Sequence, residues 1–404
     1  MKKLLAMMLT GAMVLGLTAC GNSASTQDAA AETPAETEAA VEEEAATEEV
    51  AADTAADPEK FVIGFPWDTA NTDPTWISIY NNVEAAVESA GGELINVTTD
   101  NTADGLIDNI SELISRDVDG ILFMPASDSM LPTVDSMCAD AGVCWGTMFR
   151  DINDADIKEA MYASDWYAGG CHEDDIACAS NIVKSMGDMG VTNLGVINIA
   201  KGDTSSDIRD KGAAEGAKEA GVNILNTTYD ITVTTDMTKT IESYIAAYPE
   251  MDGILVLGTY CGAAIPTIEK ALSDQGKAGE IKVGRIDFES ELGKYLEEGT
   301  FHVSYGGQQQ IDPLVSAAIL VNKVIGTPYV EDGPSIIITP YLELTDAGEA
   351  AQFNEYFLGD EAVYTAEEIK DSMIRYYDSS IDKAAMDKLL STFSIADVVA
   401  RHSK

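Results

Sequence analysis

The feature that most constrains the fold is a regular alternation that begins at Lys60. Short apolar runs rich in β-branched and aromatic residues alternate with longer stretches whose apolar residues recur at helical spacing. The predicted strands are FVIGF (61–65), GGELINV (91–97), DGILFMP (119–125) and VCWGTMF (143–149), separated by predicted helices at 76–90, 103–116 and 129–141. This rhythm predicts a parallel sheet covered by helices on both faces.

The alternation starts again after residue 165 and predicts a second lobe of the same kind. A predicted helix at 167–186 is followed by predicted strands at 193–199, 222–229, 252–258 and 281–287, with helices at 205–220, 236–247 and 262–274 between them. The segment MDGILVLG repeats the pattern of DVDGILFMP in the first half, which indicates that the halves are structural copies. The predicted fold class is therefore α/β, with two doubly wound parallel-sheet lobes.

The last third of the chain is predicted to pass between the lobes again. A strand at 301–306 precedes a helix at 312–325 and the run SIIITPYLEL at 335–344. Crossings near 163–166, 304–308 and 339–342 would then form a three-stranded hinge. The predicted first lobe is 60–163 plus 307–340. The predicted second lobe is 164–306 plus 341–404, where residues 345–404 form a C-terminal helical extension whose role the sequence does not assign.

The first twenty residues have the charged, apolar and small-residue order of a secretory signal. Lys2 and Lys3 precede an apolar stretch, 4–17, which is shorter than the ~20 residues that a membrane-spanning helix needs. Leu17-Thr18-Ala19-Cys20 resembles the lipobox of bacterial lipoproteins, which implies cleavage before Cys20 and its lipidation. The exported protein would then be anchored to the outer face of the cytoplasmic membrane. The alternative is an ordinary signal peptide with an incidental cysteine.

The segment from residue 21 to residue 59 is predicted to be a disordered acidic linker. It is built from Ala, Thr and acidic residues, and residues 22–59 contain no Lys or Arg. Such a composition buries too little apolar area to offset the entropy of ordering, and its like charges keep it extended. We interpret it as a spacer that holds the folded part away from the membrane.

The overall charge excludes some classes of partner. The chain has 24 Lys and Arg against 69 Asp and Glu, a formal net charge of −45. A surface this acidic repels phosphate backbones and anionic lipid, so no nucleic-acid partner is predicted. Neutral or cationic small ligands fit this charge better.

The sequence also lacks the patterns of common catalytic and metal sites. It has no G-x-S-x-G, G-x-x-x-x-G-K-[ST] or H-E-x-x-H motif, and only three histidines, so no enzyme is predicted. The five cysteines other than Cys20 show no zinc spacing, and we predict neither a metal nor a cofactor. Those cysteines are either buried free thiols or include a Cys171–Cys178 disulfide.

Seven segments follow one another between Lys60 and Leu344 in a characteristic order. They are FVIGF with the following TDPTW loop, VTTDNTAD, DGILFMPASDS, ASDWYAGG, GDTSSDIRDKG, YPEMDGILVLG and VGRIDFES. Together they resemble the type I periplasmic sugar-binding family, the ribose- and galactose-binding-protein-like solute receptors of ABC transporters. The resemblance implies a monomer that holds a sugar or sugar-like solute between two closing lobes and delivers it to a membrane permease.

Ligands of open parallel sheets bind beyond the carboxyl ends of the strands, where this sequence places carboxylates, amides, arginines and aromatic residues. Such a mixture suits sugars, because hydroxyl groups both donate and accept hydrogen bonds while the ring faces are apolar. The candidate ligand-binding residues are Trp67, Asp68, Trp76, Asp100, Asn101, Asp128, Arg150, Asp165, Trp166, Arg209, Tyr229, Thr259, Tyr260, Asp287 and Gln308.

The resemblance assigns roles to a few of these candidates. Trp76 matches the family's stacking position, Arg150 and Arg209 match its two arginines, and Asp287 matches its late aspartate. The sequence departs from the pattern at two places. Phe149 stands where the family has an aspartate, and residues 259–260 stand where the family has an Asn-Asp pair. The ligand therefore need not be ribose or galactose. The alternatives are a nucleoside- or autoinducer-binding lipoprotein and a sensor that presents its ligand to a receptor kinase.

Overall fold

The computed structural model describes residues 58–403 except residues 260, 262 and 290. The predicted signal peptide, Cys20 and nearly all of the acidic linker lie outside the described residues. The strands are β1 (Val62–Pro66), β2 (Glu93–Val97), β3 (Gly120–Phe123), β4 (Cys144–Thr147), β5 (Tyr167–Glu173), β6 (Asn193–Ile197), β7 (Asn223–Thr228), β8 (Gly253–Val256), β9 (Lys282–Ile286), β10 (Val303–Gly306), β11 (Ser335–Thr339) and β12 (Leu342–Leu344).

The helices alternate with these strands and then continue alone at the C-terminal end. They are α1 (Pro74–Ser89), α2 (Ala103–Ser115), α3 (Leu131–Ala141), α4 (Ala155–Tyr162), α5 (Asp175–Asp188), α6 (Thr204–Ala220), α7 (Thr234–Ala247), α8 (Ala264–Asp274), α9 (Leu292–Glu298), α10 (Gln308–Val324), α11 (Ala347–Tyr356), α12 (Ala366–Met373), α13 (Lys383–Leu390) and α14 (Ile395–His402). No helix in the described part of the chain is long and apolar enough to cross a membrane.

The strands form two six-stranded sheets, one in each lobe. The first sheet has the order β11-β5-β4-β3-β1-β2 and the second has the order β12-β10-β9-β8-β6-β7. All neighbouring strands are parallel except β10 and β12. Strands β3 and β8 are buried along their whole length, as expected of apolar strands covered by helices on both faces. The predicted fold class is confirmed.

Strand β5 differs from the sequence prediction, which placed a helix at 167–186. Two glycines explain the difference, because they let the backbone of β5 approach its neighbours closely. A Cβ on Gly170 would lie 1.9 Å from the Thr147 carbonyl oxygen, and Gly169 has a φ of +107° beside Ser335. The strand therefore belongs to the first sheet, whereas the predicted boundary at residue 164 assigned it to the second lobe.

Three segments of the chain cross between the lobes at one edge of both sheets. The first joins β5 to α5 at 173–175, the second joins β10 to α10 at 306–308, and the third joins β11 to β12 at 339–342. The second and third match the predicted crossings, and the first lies about ten residues later than predicted.

The C-terminal helices pack on both lobes rather than on the second lobe alone. Helix α11 packs on α9 of the second lobe, while α12 packs on α1 and α13 packs on β11 of the first lobe. Their periodicity predicted that they are helical, but it gave no information about which surface they cover.

Candidate ligand-binding cleft

A cavity of about 170 Å³ lies between the two lobes at the carboxyl ends of the strands. Both lobes contribute to its wall, as expected for ligand sites of open parallel sheets. The lining residues are Trp67, Trp76, Ile79, Met124, Phe149, Arg150, Glu173, Ile199, Ser205, Arg209, Asp287, Gln308 and Gln309.

One wall of the cleft is a stack of three aromatic rings. The Trp76 ring lies on the Trp67 ring at a centroid distance of 4.1 Å, and Trp67 lies on Phe65 at 5.3 Å. Trp67 is fully buried and its indole Nε1 donates a 3.1 Å hydrogen bond to the Trp76 carbonyl. Trp67 therefore supports Trp76 from behind, and Trp76 offers the more accessible aromatic face.

Arg209 is held rigidly at the opposite wall by hydrogen bonds within the protein. Its Nε donates to Asp175 at 2.8 Å, Nη1 donates to the Leu257 carbonyl at 2.7 Å, and Nη2 donates to the Tyr341 hydroxyl at 3.1 Å. The Tyr341 hydroxyl also donates to Asp175. This network spans α6, the first crossing and the third crossing, so Arg209 connects the second lobe to the hinge, and Asp175 balances its charge.

The second crossing places Asp287 and Gln308 side by side in the cleft. Gln308 Nε2 donates a 2.6 Å hydrogen bond to Asp287 Oδ1. Asp287 has a φ of +78°, an unusual conformation for a residue with a side chain, and such conformations concentrate at functional sites. Within the described residues, Gln308 Oε1 and Trp76 Nε1 are buried without a hydrogen-bond partner. A ligand hydroxyl would satisfy such groups.

Arg150 has no hydrogen bond or ion pair within the described part of the chain, in contrast to Arg209. It lies between the 170 Å³ cavity and a neighbouring cavity of about 310 Å³, and it lines both. Phe149 precedes it with a φ of +68° and donates its backbone N–H to Asp312 Oδ1 at 3.0 Å. Arg150 is therefore an uncompensated donor of the kind that recognises oxygen atoms of a ligand.

Two carboxyl groups near the cleft influence each other electrostatically: Asp312 is fully buried, and Glu173 is half-buried in the cavity wall. Burial raises the pKa of Asp312 to about 8, although Phe149 N–H and the Ser316 hydroxyl donate to it. Burial, followed by the nearby Asp312 and Asp175, raises the pKa of Glu173 well above its ordinary value, while Arg209 opposes the shift. The raised pKa widens the pH range over which Glu173 keeps its proton, and in its protonated form Glu173 can donate a hydrogen bond to a ligand oxygen.

The remaining predicted residues of the first lobe lie outside the cavity lining. Asp68 accepts the Ala70 N–H, and Asp128 accepts the backbone N–H groups of residues 153 and 154. Asp100 accepts hydrogen bonds from the Thr102 backbone and hydroxyl, which lower its pKa. Asn101 has a φ of +58° in the same turn. These side chains organise loops at the cleft edge.

Asp165 and Trp166 lie before β5, at the amino edge of the sheet and away from the cleft. Trp166 packs in the first-lobe core. In the second lobe, the Tyr229 hydroxyl donates to Asp210 and the Thr259 hydroxyl donates to the Ile231 carbonyl. Tyr260 lies outside the described residues. The structure thus brings together Trp67, Trp76, Arg150, Arg209, Asp287 and Gln308 from the predicted set.

Sequence reasoning missed Glu173, Ser205 and Phe149 as lining residues. Glu173 was missed because β5 was interpreted as a helix. Ser205 was not among the candidates; it lies two residues after Asp203, which caps α6 and accepts the Ser206 N–H. Phe149 was noted only as a departure from the family pattern. The two glycines before Glu173 were the available signal for a strand that ends at the cleft.

Within the described residues, no group of three or more His, Cys, Asp or Glu side chains is arranged to hold a metal ion. The five cysteines in this part of the chain form no disulfide, so the Cys171–Cys178 bridge is not formed. The cleft therefore offers an aromatic face, fixed and free donors, and carboxyl acceptors, which together suit reversible binding.

Residues 63–325, well over half of the chain, match the sequence profile of a family described as a periplasmic binding protein domain. The chain belongs to the periplasmic binding protein family. Proteins of this family hold ligands without converting them, so this binding protein is not an enzyme. A comparison with curated proteins finds no match.

Solved structures with the same fold include two ABC transporter solute-binding proteins and a periplasmic ribose ABC transporter. One from Bacillus halodurans C-125, with bound myo-inositol, is 16% identical with a TM-score of 0.59, and the match covers 74% of this chain and 99% of that one. One from Actinobacillus succinogenes 130z, with bound D-allose, is 16% identical with a TM-score of 0.61, covering 72% and 99%. A periplasmic ribose ABC transporter structure from Conexibacter woesei is 14% identical with a TM-score of 0.61, covering 75% and 96%.

Proposed function

We propose that this binding protein is an extracytoplasmic solute receptor of an ABC importer that captures a neutral sugar or sugar-like molecule. The observation that carries the proposal is the cavity between the lobes, where the Trp76 ring, the free Arg150 and the Asp287–Gln308 pair meet. An aromatic face matches the C–H face of a sugar ring, and the polar groups match its hydroxyls. The myo-inositol and D-allose bound to similar structures support this ligand class.

Binding would proceed by closure of the lobes about the three crossings. Trp76 and Arg150 belong to the first lobe, whereas Arg209 and Asp287 belong to the second lobe. A ligand that contacts both sets stabilises the closed arrangement, because only closure brings them together. We expect neither lobe alone to retain the affinity of the whole protein.

The first experiment is a thermal-shift screen of protein that has been unfolded and refolded to remove carried-over ligand. The panel contains monosaccharides, oligosaccharides, polyols, cyclitols and nucleosides. We expect one sugar or cyclitol to raise Tm by several degrees, and Asp287→Asn to abolish that shift. Tyr229→Phe is the matched control, because Tyr229 lies outside the cavity lining, and it should keep the shift. A response to nucleosides alone would contradict the sugar assignment and favour the nucleoside-binding alternative.

We further propose that Cys20 is lipidated and anchors the protein to the outer face of the membrane, with residues 21–59 as the spacer. The lipobox-like LTAC sequence supports this part of the proposal. In a bacterial host, wild-type protein should incorporate a labelled fatty acid and sediment with membranes, whereas Cys20→Ala should do neither. Equal fatty-acid labelling of both proteins would contradict it.

A further inference from the structure

The C-terminal helices α11–α14 are an addition to the fold of the binding-protein family. The family match ends at residue 325. The similar solved structures described above are matched over 96–99% of their own length, yet they account for only 72–75% of this chain. Helices α11–α14 follow β12, the last strand of the second sheet.

The addition is attached to the second lobe by apolar contacts. Helix α11 packs on α9. The contact is close, because a Cβ added to Gly293 of α9 would lie 3.2 Å from the Cβ of Ala350 in α11. The Phe353 ring meets the Phe288 ring edge to face at a centroid distance of 4.7 Å. Phe288 directly follows Asp287, so this attachment lies next to the ligand-binding cleft.

The same addition is attached to the first lobe by buried hydrogen bonds. The Val363 N–H donates to Asn82 Oδ1 at 3.1 Å, and Asn322 Nδ2 donates to the Met373 carbonyl at 2.8 Å. The Tyr329 hydroxyl donates to that same carbonyl. The side chains of Asn82, Asn322 and Tyr329 are buried, so these bonds cannot be exchanged for bonds to water without opening the interface.

The addition is also well packed within itself. The Phe393 ring contacts both the Phe357 ring and the Tyr364 ring, at centroid distances of 5.8 and 6.3 Å. Arg401 forms a 3.0 Å ion pair with Glu368, which joins α14 to α12. Because α14 also packs on α11, the second-lobe and first-lobe attachments belong to one packed unit.

This unit lies at the edge of the cleft rather than far from it. Leu358, between α11 and α12, lines a cavity of about 220 Å³ with residues 73–75 at the start of α1 and with Ala263 and Pro266 at the start of α8. Residues 73–75 belong to the first lobe, and Ala263 and Pro266 belong to the second lobe. Separation of the lobes would widen this cavity directly.

We propose that helices α11–α14 are an inter-lobe strap that limits how far the cleft can open. Rotation about the three crossings moves α1 and α9 apart, and a packed unit attached to both must release one of them. The first-lobe attachment is held by buried hydrogen bonds, so release occurs at the apolar contact between α11 and α9. The strap thereby keeps the ligand-free lobes close, which reduces the reorganisation needed for binding.

The test weakens the strap where it meets the second lobe and measures the separation of the lobes without ligand. Gly293→Gln inserts a side chain against Ala350 and wedges α11 away from α9. Glu297→Gln introduces the same residue at an exposed position of the same helix and is the matched control. Spin labels on unnatural amino acids at the exposed positions 108 and 242 report the distance between α2 of the first lobe and α7 of the second.

We expect Gly293→Gln to lengthen the mean distance by several Å and to broaden its distribution, while Glu297→Gln matches the wild type. Gly293→Ala is a milder wedge and should give a smaller change in the same direction; it decides the test if Gly293→Gln does not fold. Wild-type distance distributions in the folded variants would overturn the proposal. The measurement uses no ligand, so its outcome is independent of the proposed sugar-binding function.

Discussion

At the scale of single residues, the cleft combines groups whose protonation is set by burial. Glu173 lies at the end of β5, and its pKa is raised by burial and by the Asp312 and Asp175 carboxyls. A carboxylic acid that keeps its proton can donate to a ligand oxygen, which an ionised carboxylate cannot do. We therefore expect ligand affinity to depend on pH.

We expect the affinity for the solute identified by the thermal-shift screen to fall, by about fivefold, as pH rises through the raised pKa of Glu173, since loss of one hydrogen bond costs about 1 kcal/mol. Glu173→Gln keeps a donor that does not titrate, so its affinity should change much less with pH. Titration calorimetry from pH 4.5, the ordinary value for a glutamate carboxyl, up to pH 10 checks this, with the exposed Glu159→Gln as control. The same pH dependence in wild type and Glu173→Gln would contradict the assignment.

Glu269 is a second buried carboxyl group, on α8 of the second lobe and outside the cleft lining. Burial, with a smaller effect from Glu298, raises the pKa of Glu269 to about 7. The folded state therefore binds a proton that the unfolded state releases between pH 4.5 and 7. The stabilisation that Glu269 gives the folded state is fully present below about pH 4.5 and is lost as pH rises through 7. This loss lowers the free energy of unfolding by about 3 kcal/mol.

We predict that Glu269→Gln removes this part of the pH dependence of stability. Urea unfolding at pH 5 and pH 8 should show a larger loss of stability in wild type than in Glu269→Gln. The exposed Glu297→Gln on α9 should behave like the wild type. Parallel loss in all three proteins would show that Glu269 titrates normally.

At the scale of elements, helix α6 is positioned by glycines that face α5. A Cβ on Gly212 would lie 2.3 Å from the Ile176 carbonyl oxygen, and a Cβ on Gly216 would lie 2.4 Å from that of Ser180. This close approach places the start of α6, with Ser205 and Arg209, at the cleft. A larger residue must push the helices apart.

Gly216→Ala should therefore destabilise the protein by about 1–3 kcal/mol, although alanine favours an isolated helix by about 1 kcal/mol. Glu215→Ala changes the adjacent, exposed position and should have little effect. Urea unfolding measures both, and ligand affinity should fall in Gly216→Ala because Arg209 moves with the helix. Equal or greater stability of Gly216→Ala would contradict the close-packing argument.

The sequence predicted most elements because local patterns determine them. Apolar runs such as 119–125 and 252–258 predicted β3 and β8, since parallel central strands are buried on both faces. The pattern failed at β5, whose two glycines and polar end do not read as an apolar run. The sequence also predicted Asp100, Asp128 and Tyr229 as ligand-binding residues, whereas their side chains bond to neighbouring protein groups outside the cavity lining. The partner of a side chain at a strand end depends on loop geometry, which residue spacing does not encode.

At the scale of the whole molecule, the acidic charge opposes the compact state. The chain carries 69 Asp and Glu against 24 Lys and Arg, and like charges repel more strongly when the chain is folded. Ions screen this repulsion, with a Debye length that falls from about 30 Å at 0.01 M to about 10 Å at 0.1 M.

We predict that Tm rises by several degrees between 10 mM and 300 mM NaCl. Scanning calorimetry in NaCl and in choline chloride separates screening from specific ion binding, because both salts should give the same rise. A Tm that does not change, or that responds to only one salt, would show that repulsion between like charges has little effect on the stability of the folded protein.

The late return of the chain to the first lobe has a consequence for biosynthesis. The first sheet is completed by β11, which pairs with β5 more than 160 residues earlier in the chain, and α10 covers β3, β4 and β5. A nascent chain emerging from its N-terminal end therefore cannot complete its first lobe until β11, at Ser335–Thr339, has been made. Contacts of such long sequence separation slow folding. Until then the first sheet lacks its β11 edge, and the unfinished lobe stays available to chaperones.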